Sequence, residues 1–494
     1  MKGRVRIELE PLGKTLEVAP GTPLQDVLFP YGVEFPCGGR GRCRRCRVKV
    51  LRGALPASEA DSAVLSAEEI AAGWRLACHA RAEADVSLEI AQWETAILAD
   101  DSAFAFTPRD GLGVAVDVGT TTVVAQLLDM RTARVLGVRT ALNPQVKHGA
   151  DVMSRVEFAV RGGQRALEQS IRAEVGTLIR KLAPAEAVRD VVIVGNTVMH
   201  HLFCGVDLDP LAHCPFEPVR DGQIEFRAAE LGWAVPGDPP VRFLGCLGGF
   251  VGSDILAGVL ATRMHESDRL TALVDLGTNG EIVAGCRGRL VCASTAAGPA
   301  FEGGRIGMGM RAATGAIVEV WVEDGGMACR VLGHCAPRGI CGSGLVDAAA
   351  AALELGLVLP GGRLAGGAKR LPVAGEVALA QADIRELQLA KGATAAGLEI
   401  VLARLGASTA DIGCVYLAGA FGNYLNRASA RRIGLLNLPL ERVEPAGNTA
   451  LLGAKLALFA ASDFAALRAM VEHVPLGTDP AFQERYVEAM AFPE

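Results

Sequence analysis

GVAVDVGTTTVVAQLLD at residues 113–129 returns, altered but recognisable, as TALVDLGTNGEIVAGC at residues 271–286. Each copy is an apolar, Val-rich run ending in an aspartate, then a tight Gly-Thr turn, then a second apolar run. Runs of this length and composition read as paired strands, with the Gly-Thr turn reversing the chain between them. Asp117 and Asp275 hold the same place in the two copies. Each half continues through further strand patterns into helical periods, at 150–182 in the first and 342–357 in the second. An internal repeat on this scale predicts two related α/β lobes, residues 112–268 and 269–494, with a cleft between their turns.

A strand that runs into Asp-x-Gly-Thr does two chemical jobs. Backbone N–H groups of the turn make a concave donor array for phosphate oxygens, and the hydroxyls add donors. A carboxylate at the strand end suits hydrated Mg²⁺, which takes carboxylate, water and phosphate oxygen together. One such turn also opens ordinary hairpins; two in matching halves point to phosphate held from both sides. Glu281, beside the second turn, reads either as a general base orienting water or as a strand-end surface carboxylate. Asn196 and Thr197 follow an apolar run and read either as phosphate contacts or as the cap of the next helix.

Upstream, FPCGGRGRCRRC (35–46) sets Cys37, Cys43 and Cys46 in one glycine-rich loop, and Cys78 follows after thirty-one intervening residues. C-x5-C-x2-C with a distant fourth cysteine is close to the C-x4-C-x2-C spacing of plant-type [2Fe–2S] sites. Gly38, Gly39 and Gly41 let backbone approach inorganic sulfide and aim N–H groups at it. Structural zinc is the alternative, since Cys43-x2-Cys46 would suit it, but Cys78 has no matching mate except His79. Around the loop, residues 4–10 and 14–18 alternate as a hairpin about Pro-Leu-Gly. Thr22 reads as the cap of a short helix with Pro23 at its first position. A strand at 47–51, a helix near 66–72 opened by the capping box Ser66-x-x-Glu69, and the strand VSLEI complete the unit. Seven basic and no acidic residues lie between Cys37 and Arg52. They read as solvated arginines or as a face offered to an acidic partner. Residues 93–111, without clear period, read as a linker that lets the cluster domain move.

The remaining composition narrows the classes. With 494 residues the chain needs several domains, and its net charge of −6 argues against a nucleic-acid binder. Thirteen scattered cysteines suit a reducing cytosol better than a disulfide framework. MKGRVRIELE is a strand pattern and not a signal peptide. The most apolar stretch, LGCLGGFVGSDILAGVLA (244–261), carries Ser253 and Asp254 and reads as strand, turn and helix, not a membrane span. A soluble, cytoplasmic protein is expected. His200, His201, Cys204 and Cys214 read as packing and capping residues; Cys329, Cys335 and Cys341 read as reduced thiols, and GGRIGMGM (303–310) as a turn.

Residues 1–92 resemble the β-grasp [2Fe–2S] ferredoxins throughout. Beyond them, DVGTTT (117–122) and DLGTNGE (275–281) resemble the two phosphate motifs of acetate and sugar kinases, Hsc70 and actin. VVIVGNTVMHHLFCG (191–205) and GICGSGLVDAAAA (339–351) look like the connecting segments, and VYLAGAFGNYL (415–425) like the adenosine motif, all in matching order. The resemblance implies an α+β β-grasp domain followed by an α/β two-lobed actin-like ATPase, a duplicated RNase H-like fold. It implies that Asp117 and Asp275 organise Mg²⁺ and the attacking water. Gly119, Thr120, Thr121, Thr122, Gly277, Thr278, Asn279 and Gly280 would hold phosphates, and Gly419, Ala420 and Gly422 would face the adenosine.

A ferredoxin unit, a linker and an actin-like ATPase in this order resemble the reductive activators of corrinoid proteins. That family implies a [2Fe–2S] cluster, ATP and Mg²⁺, and a corrinoid protein of a methyltransferase system as partner. One electron passes to an inactive cob(II)amide, restoring cob(I)amide, and ATP hydrolysis drives the step. Reduced ferredoxin or a similar carrier would supply electrons, and a homodimer is left open. The alternatives are a small-molecule kinase with a redox switch and a non-enzymatic nucleotide-binding redox sensor.

Overall fold

In the computed structural model, Val5–Glu10 (β1) pairs antiparallel with Lys14–Val18 (β2), Val5 opposite Val18. Val5, Ile7 and Leu9 are buried while Arg6 is exposed, so period-2 alternation turns one face of the strand to a core. The structure describes residues 4–10, 14–28, 31, 33, 41, 46–90, 106–149, 151–277, 279–310, 312, 315–332, 335–422, 425–459 and 461–494. The Pro-Leu-Gly reversal, Cys37, Cys43 and most of the linker fall outside them.

Thr22 does not cap a helix. Thr22–Pro23 (β3) is a short strand, and Leu24–Leu28 (α1) begins only after Pro23. The local capping signal lost to a tertiary pairing, because β3 lies antiparallel to Arg81–Ala82, while the Thr22 hydroxyl donates to Ala19 O. Arg47–Gly53 (β4) follows the cysteine loop. Two capped helices come next, Glu59–Val64 (α2) and Ala67–Ala71 (α3). The box expected at Ser66 and Glu69 opens α3; a second box, Ser58 with Asp61, opens α2 and was not anticipated. Trp74–Leu76 (β5) and Val86–Glu89 (β7) complete a five-stranded sheet of order β2-β1-β7-β4-β5, with β1 and β7 parallel, while Arg81–Ala82 (β6) pairs with β3.

The chain divides into two compact units: Met1–Val206 with Gly222–Gly245 and Ala450–Asp463, and Asp207–Asp221 with Cys246–Thr449 and Phe464–Glu494. In the first, Leu112–Val118 (β8), Thr122–Asp129 (β9) and Arg134–Leu142 (β10) form an antiparallel meander. Val152–Phe158 (α4) and Gln164–Leu182 (α5) follow, broken apart at Gly162 with φ +96°. Val188–Gly195 (β11), Thr197–Cys204 (α6), Ile224–Arg227 (β12) and Pro240–Phe243 (β13) close a sheet of order β10-β9-β8-β11-β13-β12. Val114 to Val116 and Val191 to Val194 are fully buried, as parallel strands covered on both faces should be. Residues 106–111, the described end of the linker segment, fasten to this sheet: Arg109 N–H donates to Met130 O and its guanidinium to Asp190.

The second unit repeats the plan. After Ser253–Thr262 (α7), the strands Thr271–Leu276 (β14), Gly280–Cys286 (β15) and Arg289–Thr295 (β16) form the meander. A hairpin of Ala316–Glu323 (β17) and Gly326–Val331 (β18), with Gly339–Ile340 (β19), makes a side sheet before Gly342–Glu354 (α8). Arg370–Ala374 (β20) and Val377–Ala380 (β21) lead into the long Gln381–Arg404 (α9). Cys414–Ala418 (β22), the single turn Gly419–Gly422 (α10), Val443–Gly447 (β23) and Val471–His473 (β24) finish a sheet of order β23-β22-β14-β15-β16-β24. In both sheets a meander is extended by two parallel strands beside its first member, so the internal repeat predicted from residues 113 and 271 is a topological duplication. Among the described residues no helix is long and apolar enough to cross a membrane.

Candidate functional site

The first acidic turn is built from behind. Asp117 lies one residue before the end of β8, half-buried, and Gly119 N–H donates to Thr122 O at 3.0 Å to close the reversal. A Cβ at Gly119 would stand 2.8 Å from that oxygen, so the turn requires glycine. Three successive carbonyls are then taken up from one stretch of chain. Gly119 O accepts from Asn143 Nδ2 at 2.9 Å, Thr120 O from Arg155 Nη2 at 2.5 Å, and Thr121 O from Asn143 N–H at 2.9 Å. These peptides are trans, and a planar trans peptide points its N–H opposite to its C=O. The N–H groups of Thr120, Thr121 and Thr122 therefore face away from the 143–155 segment, as an anion-binding turn needs.

Asn196 caps the next helix and also reaches the first turn. Its Oδ1 accepts from Met199 N–H at 2.9 Å and caps α6, while its Nδ2 donates to Thr120 Oγ1 at 3.1 Å. Asn143 and Arg155 went unnoticed in the sequence. The Asn-Pro pair that ends β10 is the only local signal for Asn143, and nothing local marks Arg155.

In the second unit, Asp275 on β14 stands directly opposite Glu281 on β15. Gly277 N–H donates to Asn279 O at 3.1 Å across the turn, while Thr278 lies outside the described residues. Gly280 is pressed against β16: a Cβ there would meet Thr295 Oγ1 at 2.6 Å, and that hydroxyl donates to Gly280 O. Glu281 is buried, not a surface carboxylate. Burial first, then the charges of Asp254 and Asp275, push its carboxyl well above the usual range, against hydrogen bonds from its own backbone and from Asn279. Asp254, in the first turn of α7, is the third member of this acidic group and was passed over in the sequence. Its one signal was a carboxylate inside the apolar stretch 244–261.

The glycines of residues 415–425 meet the same group. β22 runs parallel to β14 with Ala418 beside Asp275, and Gly419 follows with φ +77°. A Cβ at Gly419 would lie 2.4 Å from Asp275 Oδ1, so only glycine leaves that carboxylate in place. Gly422 packs on Leu417, and Phe421 stacks on Phe301 at 4.7 Å. The structure thus brings Asp275, Gly277, Asn279, Gly280, Glu281, Gly419 and Gly422 into one neighbourhood, as it does Asp117, Gly119 to Thr122 and Asn196 in the other unit. Among the described residues no three His, Cys, Asp or Glu side chains could cage a metal ion. Mg²⁺ on a nucleotide asks for less: one or two carboxylates, with water and phosphate completing the shell.

The ferredoxin unit places two of its four expected ligands. Cys46 Sγ and Cys78 Sγ lie 3.2 Å apart, far beyond a disulfide bond, so the two are not joined to each other. Cys46 is buried just before β4, and Cys78 sits in the 3₁₀ turn Ala77–His79, tied back by Ala77 N–H to Cys46 O at 2.8 Å. Two separate sulfurs converging at one point fit adjacent ligands of an iron–sulfur cluster. Gly41, with φ +65°, packs beside the residue after Cys78: a Cβ there would strike Ala60 Cβ at 2.7 Å and His79 Nε2 at 2.9 Å. Elsewhere His200 and His201 are buried, His201 Nδ1 meeting Thr197 O and His200 edge-on to Phe243. Burial raises the Cys329 and Cys341 thiols, which suits inert cysteines.

Residues 7–83 match the family described as a 2Fe-2S iron-sulfur cluster binding domain, 112–267 the RACo middle region, and 269–494 the C-terminal domain of RACo, the ASKHA domain. Over 416 residues the chain is 34% identical to the corrinoid activation enzyme RamQ of Eubacterium limosum, which spans 76% of this chain and 69% of that one. The chain belongs to the corrinoid activation enzyme family. Another similar protein, 25% identical over 418 residues and 77% of each chain, is the [Co(II) methylated amine-specific corrinoid protein] reductase of Methanosarcina barkeri. The solved structure titled reductive activator for corrinoid, iron-sulfur protein superposes with a TM-score of 0.69 at 27% identity, covering 99% of this activation enzyme and 98% of that chain.

Proposed function

We propose that this chain is the ATP-dependent reductive activator of a corrinoid methyl-transfer protein, passing one electron to an inactive cob(II)amide and restoring cob(I)amide. The observation that carries the reading is the match of ferredoxin, middle and ASKHA regions in one order to proteins named for activating or reducing corrinoid proteins. The cluster, held by Cys37, Cys43, Cys46 and Cys78, supplies a low-potential one-electron carrier when bound. Every ~100 mV by which the cob(II)amide lies below that carrier costs about 2.3 kcal/mol per electron, which is why hydrolysis is coupled to the step.

The chain's own residues divide the ATPase work. The N–H groups of Thr120, Thr121 and Thr122 and the turn at Gly277 to Gly280 take phosphate oxygens. Asp117 in the first unit and Asp275 in the second would each offer a carboxylate to hydrated Mg²⁺ on a nucleotide. Glu281, whose carboxyl burial and the charges of Asp254 and Asp275 push above the usual range, gains basicity from its site and orients the attacking water. Gly419, Ala420 and Gly422 let the nucleoside lie on backbone. Reduced ferredoxin or a similar carrier serves as donor, and the cytoplasm is the compartment we assign.

The test is spectroscopic. Cluster-loaded protein, a strong reductant and a panel of cob(II)amide-loaded corrinoid proteins are mixed anaerobically with or without MgATP, and the cob(II)amide absorbance is followed. ATP-dependent loss of that band with one partner is expected. No reduction of any partner with ATP present would sink the assignment.

A further inference from the structure

Arg155 is one of the largest fully buried side chains in the protein. It sits in α4, and its donors reach four acceptors: Nε–H to Gly149 O at 2.9 Å, Nη1 to Gln145 Oε1 at 3.2 Å and Met199 Sδ at 3.6 Å, and Nη2 to Thr120 O at 2.5 Å. All four acceptors are neutral. Asp151 is the nearby carboxylate, but its oxygens cap α4 by accepting from Ser154 N–H at 2.8 Å and Ser154 Oγ–H at 2.9 Å. It acts on Arg155 only as a charge at longer range, and among the described residues no carboxylate forms an ion pair with the guanidinium. Burial lowers the guanidinium from 12.5 to about 10, so it stays charged at neutral pH.

A neutral side chain could have stapled this loop without burying a charge. An arginine whose charge is left unmatched is costly to bury unless an anion arrives. The Thr120 carbonyl that it grips belongs to the peptide whose N–H, on Thr121, faces the other way. A charged donor on the carbonyl polarises that peptide and strengthens its N–H toward an anion.

We propose that Arg155 is a positioning residue that makes the first half-site discriminate by ligand charge, favouring a polyphosphate over an uncharged nucleoside without touching either. The proposal rests on the reading of residues 119–122 as a phosphate turn. Its test compares the full chain with Arg155→Gln and Arg155→Lys in equilibrium binding of ATP, ADP and adenosine in the presence of Mg²⁺, with unfolding midpoints measured alongside. Arg155→Gln weakens ATP about tenfold, ADP less, and adenosine within about twofold, which converts to about 1.4 kcal/mol for ATP. Arg155→Lys, which keeps the charge, restores most of the ATP-to-adenosine ratio. Equal losses for ATP and adenosine, or wild-type ATP binding by a folded Arg155→Gln chain, overturn the proposal. If Arg155→Gln does not fold, the lysine variant decides: a preserved ratio supports the charge role, and a ratio that falls with the fold intact overturns it. A wild-type chain that binds no ATP would instead remove the phosphate-turn reading itself.

Discussion

Gly419 shows how one missing side chain holds a site together. Its φ of +77° is the left-handed region, and a Cβ would stand 2.4 Å from Asp275 Oδ1. Gly419→Val therefore pays in backbone strain of about 1–2 kcal/mol and displaces the carboxylate. ATP affinity should fall at least tenfold, read by isothermal titration, together with a lower unfolding midpoint. Glu281 predicts the opposite pattern. Glu281→Gln keeps the shape but removes a carboxyl crowded by Asp254 and Asp275, so the chain should unfold no lower than wild type. Its ATP turnover should nevertheless drop by about 10²–10⁴-fold at similar nucleotide affinity. A variant that hydrolyses ATP at the wild-type rate would remove Glu281 from the chemistry. Asp275 was legible because its turn is local, whereas Asp254 approaches from a separate helix and no window of sequence pairs the two.

At the scale of elements, buried polar groups set the loops that matter. Asp61 caps α2 through Ser58 and also accepts Leu76 N–H at 2.6 Å, two residues before Cys78. Asp61→Ala leaves that buried N–H unmatched, a cost of about 1–3 kcal/mol. The visible absorbance of the reconstituted cluster should then decay faster than wild type's on warming; equal decay would confine Asp61 to capping. On α9, Lys391 is buried with its Nζ donating to Ala491 O and lying 5.3 Å from the Phe492 ring. Burial pulls its ammonium from 10.5 to about 8. The unfolded chain thus holds this proton between pH 8 and about 10.5 while the folded chain has released it. Stability relative to Lys391→Met should rise with pH across that window, by on the order of 2–3 kcal/mol in denaturant titrations. A flat difference would show that the lysine keeps its proton.

For the whole molecule, the electron carrier and the ATPase are separate folding patterns on one chain, so their losses should separate. Cys78→Ala should abolish cluster absorbance and corrinoid reduction while ATP hydrolysis persists. Asp117→Asn should keep the cluster and lose the ATP-driven step. ATP-dependent corrinoid reduction surviving in either variant would contradict the division of labour.

What the chain's order alone determined was everything carried by local repetition. Period-2 apolar runs, the duplicated Asp-x-Gly-Thr turns and the cysteine spacing announce strands, a pair of tight acidic turns and a cluster domain, because each depends on residues adjacent in sequence. Only tertiary structure decided that Thr22 joins a strand against Arg81–Ala82 instead of capping a helix. It alone decided that Asp254 crowds Glu281, that Arg155 and Asn143 hold the first turn from behind, and that Gly419 clears room for Asp275. Those are contacts between distant segments, and their energies come from burial and charge at short range, which linear order does not encode.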